Sequence, residues 1–344
     1  MVKYPLVERR PVPHPTTSER PALGVIEAIS AGFDVIFHHP WLLLIPLILD
    51  LFLWMGPRLQ APALYQQFEP SVRRMMSDVD TSEARLAAQE LTKMVQGFFT
   101  NFNLFAWLSV WLVGVPVVNA AIDVTLRLVT GFLPVLMQVN DFGTYLVLLI
   151  SLSVIGLFIT SLYWAMLSGV VRDNRFQLAP WLKSTWRMWK QLLLLALTVV
   201  GMLLLSIVPL SMIMLTVGMF SPGLASLVPA LMLTAVLWML LYCVFTLHGL
   251  ALYHMPLAWS VRTSILIVRT NFLPTLGLVA TTMAIYVGLG LVWDNIAPDS
   301  WLRTIAMIGN AAIGTGLIMA SLLYYQNRSL ILFERFHWPV PAVN

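Results

Sequence analysis

Six stretches of this chain are each long and apolar enough to be membrane helices, and that repetition constrains the fold more than any single residue does. They are residues 41–57, 143–170, 191–218, 224–253, 272–293 and 303–326. A bilayer core is crossed by about 20 apolar residues in helical form. Backbone groups in lipid must bond within their own segment, so each run is read as a helix. Composition agrees. Of 344 residues, 59% are apolar and only 10% are charged, whereas a soluble domain carries about 25% charged residues. So few charges exclude a soluble enzyme, a nucleic-acid reader and a disordered scaffold. The expected fold class is all-α, a polytopic helical membrane protein with about six transmembrane helices.

Basic residues divide unevenly between the two sides. Thirteen Lys and Arg fall in the tail to residue 40, in loop 171–190, in loop 254–271 and in the C-terminal segment. Seven fall on the other side, six of them in one long stretch, 58–142. Short basic loops stay in the cytoplasm, and long loops weigh less. Both termini are therefore expected in the cytoplasm, and the protein in the plasma (inner) membrane as a multi-pass chain. Residues 1–22 hold five prolines, four basic residues and no apolar core, so they read as a flexible cytoplasmic tail rather than a signal peptide. Residues 336–344 read as a second tail. The one cysteine, Cys243, leaves no partner for an intramolecular disulfide.

Three spans follow a similar approach segment. In 23–39, Ile26, Ile29, Phe33, Ile36 and Phe37 share a helical face, with Glu27, Ser30, Asp34 and His38 beside it. In 180–190, Lys183, Arg187 and Lys190 share a face opposite Trp181, Leu182, Met188 and Trp189. In 256–270, Arg262 and Arg269 flank a stripe of Leu257, Val261, Ile265 and Val268. The expected build is an interfacial amphipathic helix before each of three hairpins, inside a single membrane domain, 23–335. Lys183, Arg187, Lys190, Arg262 and Arg269 are the candidate contacts for anionic lipid headgroups on the cytoplasmic face.

Residues 58–142 form an extracytoplasmic insertion in the first hairpin. Asp80 and Glu83 resemble a capping box, and Asp123 and Arg127 form an i, i+4 pair. Within it, 104–118 is apolar, and a re-entrant or surface-lying cap is preferred over a seventh span, which would put the basic loop 171–190 on the wrong side. Small residues recur every fourth position at Ala280, Ala284, Gly288 and at Ala312, Gly316, Ala320. Such stripes let helices approach closely in lipid, so the last two spans are expected to pack together through them.

Asp50 lies about 13 Å into the first span, near mid-membrane, where an acid is costly and a functional candidate by default. It is read either as structural, with Asn310 of the sixth span as partner, or as a transport or binding group. His248 and His254 are six apart and off one helical face, so no metal site is expected. Arg172, Asp173, Asn174 and Arg175 read as a solvated cytoplasmic turn or, alternatively, as a contact for a partner or a lipid headgroup. Nucleophile, phosphate-loop and zinc-protease motifs are absent, so no catalytic residue and no cofactor is assigned.

The stretch 255–287, with Ser264, Arg269, Asn271 and Phe272 leading into a span, resembles the recurring segment of bacterial glycerophosphodiester-phosphodiesterase membrane domains and related YciC-like proteins. The stretch 38–51 is similar to the start of the first span in those proteins. The resemblance implies a multispan fold over 23–57 and 171–335. Some relatives join a soluble phosphodiesterase to this domain. No stretch here has the carboxylate and histidine motifs such a domain needs, so the enzyme activity is not carried across. The expected function is a non-enzymatic integral membrane protein that organises the membrane or assists a partner complex. The alternative is a transporter or lipid-handling carrier using Asp50. Expected partners are the bilayer and anionic headgroups, with a protein partner or homo-oligomer left open and no nucleic acid.

Overall fold

Apolar runs dictate where helices form, and the computed structural model shows how they are joined; it describes residues 22–77, 82–109, 114–120, 135–173, 177–225, 227–297 and 299–338. In chain order the helices are α1 (Val25–His38), α2 (Leu44–Met55), α3 (Pro62–Ser77), α4 (Ser82–Thr100), α5 (Phe142–Asp173) and α6 (Leu178–Phe220). After them come α7 (Pro222–Ala225), α8 (Leu227–Tyr242), α9 (Thr246–Tyr253), α10 (Leu257–Thr270), α11 (Phe272–Asp294) and α12 (Leu302–Arg335). Two three-residue strands, β1 (Arg58–Gln60) and β2 (Leu136–Gln138), pair in parallel and clasp the two ends of the insertion. The chain is an all-α polytopic membrane protein. Five segments suffice to cross a bilayer: α5, α6, α8 with α9, α11 and α12. A sixth is α1 with Pro40–Met55, bent by 96°. The tail to Pro21, Asp80, Asp123, Arg127, Asn174, Arg175 and the last residues from Pro339 lie outside the described residues.

A separate helix, α1, stands where an approach helix is expected before the first span, and it packs through its small residues. It runs antiparallel along the C-terminal half of α12. The Leu23 N–H donates to Asn327 Oδ1 at 2.9 Å, and Arg328 Nη2 donates to the Leu23 carbonyl at 3.1 Å. Farther along, Gly32 sits so close that a Cβ there would stand 2.5 Å from both the Gly316 carbonyl oxygen and the Ala320 nitrogen. Beyond the bend, α2 continues to the other end of α12, where Trp54 meets Trp301 edge-on at 6.4 Å. The buried face of α1 is Ala28, Gly32 and Ile36, while Ile26 and Phe37 are 80% and 81% exposed. Small residues allow backbone contact; a face led by Phe37 would hold the helices apart.

The same chemistry redirects the small-residue stripes. Gly316 and Ala320 of α12 receive α1, with Phe33 against Gly316, and Gly288 of α11 faces open space. The helix α11 meets α12 elsewhere: Trp293 lies on Gly309, and Tyr286 borders Gly314. The second approach segment is no separate helix. Residues 180–190 are the first turns of α6, a continuous 43-residue helix about 64 Å long, twice the hydrocarbon thickness. The third, α10, is separate, ending at Asn271. Its buried face is Ser260, Thr263, Ser264, Ile267 and Val268; of the aliphatic stripe, Val268 is buried, Leu257 and Val261 are half-buried and Ile265 is exposed.

Span four breaks at residues 243–245, between α8 and α9. A break in lipid must have its freed backbone groups satisfied by neighbours. Ser264 of α10 does this: its hydroxyl accepts from the Phe245 N–H at 3.0 Å and donates to the Tyr242 carbonyl at 2.7 Å. The start of α5 is capped by Asp141, whose carboxylate accepts from the Thr144 N–H at 2.8 Å and is thereby held below its ordinary pKa. In the run 104–118, Leu104–Ser109 form a buried 3-10 turn. The Val115 N–H donates to the Ser109 carbonyl at 3.1 Å.

Candidate functional site

Asp50 lies in the last turns of α2, fully buried. It sits where the insertion joins the bundle, beside the first turn of α12. Its carboxylate accepts from the Val118 N–H at 3.0 Å and the Asn119 N–H at 2.8 Å. Arg303, 3% exposed, approaches the same segment from the other side. Its Nε donates to Asn119 Oδ1 at 2.8 Å, its Nη2 to the Val118 carbonyl at 3.0 Å and its Nη1 to the Trp293 carbonyl at 2.9 Å. One peptide group, Val118 C=O to Asn119 N–H, is thus held between a buried cation and a buried anion, its dipole aligned with both. Removing one partner of such a buried pair strands the other charge, at a cost of about 3–5 kcal/mol. The knot ties α2, α11 and α12 to the returning chain of the insertion.

Asn310 is on α12, seven residues below Arg303. Its side chain engages the Tyr286 hydroxyl rather than Asp50. Deeper along α12, Thr315 Oγ1 accepts from the Tyr163 hydroxyl at 2.9 Å, Ser321 Oγ meets His248 Nε2 at 2.7 Å, and Ser329 Oγ meets the Tyr253 hydroxyl at 2.8 Å. The core-facing side of α12 therefore carries a row of polar contacts from one end of the bundle to the other. Among the described residues, the buried hydroxyls of Ser260, Thr263, Tyr324 and Tyr325 have no hydrogen-bond partner. Buried polar groups are ordinarily paired, often through ordered water.

The basic end carries the second cluster. His254 caps α9 in the left-handed conformation, φ 51°, and its Nε2 meets Ser184 Oγ of α6 at 2.7 Å. Burial, then the nearby charges of Arg172 and Arg187, push its pKa down to about 4, with Lys183 adding to the effect and Asp173 opposing it. A neutral imidazole is the result. Arg172, in the last turn of α5, bonds Asp173 Oδ2 through Nε at 3.0 Å. Among the described residues, neither its buried Nη1 nor the buried His254 Nδ1 has a hydrogen-bond partner. Beside Arg172 is a small cleft of about 20 Å³, lined by Arg172, Asp173, Gln177, Pro180 and Trp181 on one wall and by Ala165, Met166, Gly169 and Val170 on the other.

The sequence-selected cations divide in the structure. Lys183 and Arg187 face this cluster. Lys190 lies over the Trp186 ring at 5.5 Å, and Arg262 over Trp259 at 5.3 Å and Trp338 at 5.9 Å. Arg269 is exposed on the last turn of α10. Sequence reasoning singled out neither Arg303 nor Asn119, Ser184 and Arg172 as site residues. Arg303 had a signal: it is the one cation at the head of a span when another span carries an acid. Among the described residues, no group of three His, Cys, Asp or Glu could hold a metal ion. No family model, no curated protein and no solved structure matches this chain.

Proposed function

We propose that this chain is a non-enzymatic membrane organiser. A packed body holds an apolar arm in the lipid, and a basic collar at the cytoplasmic face gathers anionic headgroups. The observation that carries the reading is the arm itself. No residue of α8 is buried, and α6 has none buried beyond Leu192. Both helices are apolar along most of their exposed length, and apart from the end of α8, where Trp238 stacks on Phe272 of α11, that surface is turned to lipid. The sealed carboxylate of Asp50 supports a structural role for that residue over a carrier role, which needs access from one side of the membrane. The orientation proposed puts loop 171–190, α10 and both termini in the cytoplasm of the inner membrane. The likeness to YciC-like membrane domains is kept as a proposal for the family.

Spin-labelled lipids test the reading in vesicles of phosphatidylcholine with and without phosphatidylglycerol. The expected result is a motionally restricted shell in which phosphatidylglycerol is enriched over phosphatidylcholine. Equal partition of the two lipids would remove the collar from the reading. A restricted shell no larger than the packed body needs would remove the arm, and cross-links from arm positions to another protein would then turn the reading towards a partner complex.

A further inference from the structure

We infer that α6, α7 and α8 form a re-entrant hairpin, which dips into the bilayer from the cytoplasmic side and keeps its tip, Phe220–Ala225, among the acyl chains short of the far surface. The inference deepens the proposed function and rests on it for the arm in lipid and for the cytoplasmic placement of its base.

Charge and length point the same way. Between Lys190 and Arg262 the chain has no Asp, Glu, Lys or Arg. At the tip, Met219 and Phe220 are 88% and 85% exposed. Residues 217–229 hold no Trp, Tyr, Lys or Arg, the side chains that ordinarily anchor a span end at the interface. The turn between α11 and α12 is the opposite case, with Asp294, Asn295, Asp299 and Arg303 around it. The helices α8 and α11 depart from one level, because the Trp238 ring stacks on Phe272 at 5.9 Å. From there α11 has 23 residues, about 35 Å, a full crossing. The whole of α8 has 16 residues, about 24 Å, and at any tilt it falls short of a core about 30 Å thick. On the other leg, residues 191–220 run about 45 Å. A leg of that length stays in the core only by leaning, so the hairpin is oblique, with one long side and one short side.

The tip also satisfies its own polar groups, as backbone in hydrocarbon must. Among the described residues between α6 and α8, only Ser221 lies outside a helix. Its N–H donates to the Val217 carbonyl at 2.9 Å, and its carbonyl accepts from the Leu224 N–H at 3.1 Å. Pro222 and Pro229, at the starts of α7 and α8, bring no N–H to be satisfied. Along the legs, the hydroxyls of Ser206, Ser211, Thr216 and Thr234 each donate to a carbonyl three or four residues back, at 2.8–2.9 Å. The arm thus shows water no charge and few open donors, and the partner of its tip is the acyl-chain region of the bilayer.

Nitroxides on the full chain test this in phosphatidylcholine vesicles, with Cys243→Ser as the parent so that each label has one attachment point. The label goes on Ser221→Cys at the tip and on Asp299→Cys in the turn between α11 and α12. Collisions with oxygen, which dissolves in lipid, are compared with collisions with a water-soluble nickel chelate. The expected result is loss of chelate collisions with retained oxygen collisions at position 221, and the reverse at position 299. Chelate access at 221 equal to that at 299 would place the tip in water and overturn the re-entrant turn. Loss of both colliders at 221 would mean that protein covers the tip, and would overturn acyl chains as its partner. Should Ser221→Cys not fold, Leu224→Cys reports from the same turn, with the same outcomes. The size of the restricted lipid shell tests the arm whether or not its tip emerges, so failure of the re-entrant turn and failure of the proposed function are told apart.

Discussion

The helices α8 and α9 belong to one apolar run, yet every residue of α9 is buried and none of α8 is. Apolarity does not separate them. In water, burial follows hydrophobicity; in lipid, the acyl chains are as apolar as leucine, and association comes from close packing and interhelical hydrogen bonds. The helix α9 offers Thr246, His248, Gly249 and Ala251, while α8 offers Leu, Met, Val and Trp along most of its length. Gly249 shows the point. A Cβ there would stand 2.8 Å from the Tyr325 hydroxyl and 3.1 Å from Ser260 Oγ. The polar row of α12 and the small face of α10 close around α9 because α9 is small and polar enough to admit them.

The contrast can be broken most severely at the ends that hold the body together. Arg303→Met leaves Asp50 buried without its cation, and the expected loss is about 3–5 kcal/mol, read by thermal or denaturant unfolding in detergent; a loss under about 1 kcal/mol, typical of an exposed pair, would remove the knot from the account. Next come paired truncations within the run itself. Leu250→Ala in α9 opens a cavity and is expected to cost about 2–5 kcal/mol, whereas Leu237→Ala, 58% exposed on α8, is expected to shift stability by no more than about 0.5 kcal/mol. Equal costs would mean that α8 is covered in the folded state. Ser264→Ala tests the seam between the two helices. The Phe245 N–H and Tyr242 carbonyl lose their partner, and about 1–3 kcal/mol should go with it, seen also as faster hydrogen exchange at Phe245.

The smallest effect is at the basic end. The fold lowers His254 from its ordinary 6.5 to about 4, so it favours the neutral ring. The unfolded chain binds the extra proton first on acidification. Stability from this group is therefore full above pH 6.5 and drains away between about 6.5 and 4. His254→Asn, which tolerates the left-handed backbone, should flatten that part of the melting-temperature profile. A profile of the same slope in wild type and variant would discharge His254 from the pH dependence.

Helix identity was readable in the residues because the bilayer leaves no other way to satisfy a backbone, so any run of about 20 apolar residues is committed. The break at 39–40 was legible too, in His38, His39 and Pro40 before the run. Facing was not. Ile26, Phe37 and Ile265 were read as part of apolar faces turned to the membrane interface, and that reading names no helix contact; the contacts run through Ala28, Gly32 and Ile36 of α1 and Ser260, Thr263 and Ser264 of α10. The stripe Gly316–Ala320 was rightly seen as a packing surface, but four-residue spacing names no partner, and α1 occupies it. Asp50 was conspicuous, but its partners are 68, 69 and 253 residues away, and no local pattern encodes them.

By itself, then, the sequence determined the class, the number of apolar passes and the uneven placement of the cations, since these depend on transfer free energy summed along short windows. Only the tertiary structure decided which helix faces touch, that Arg303 and Asp50 share one peptide group, and that Ser184 of α6 meets His254 at the end of α9. Those outcomes depend on which backbones can come closest, a property of helix pairs and not of any single segment.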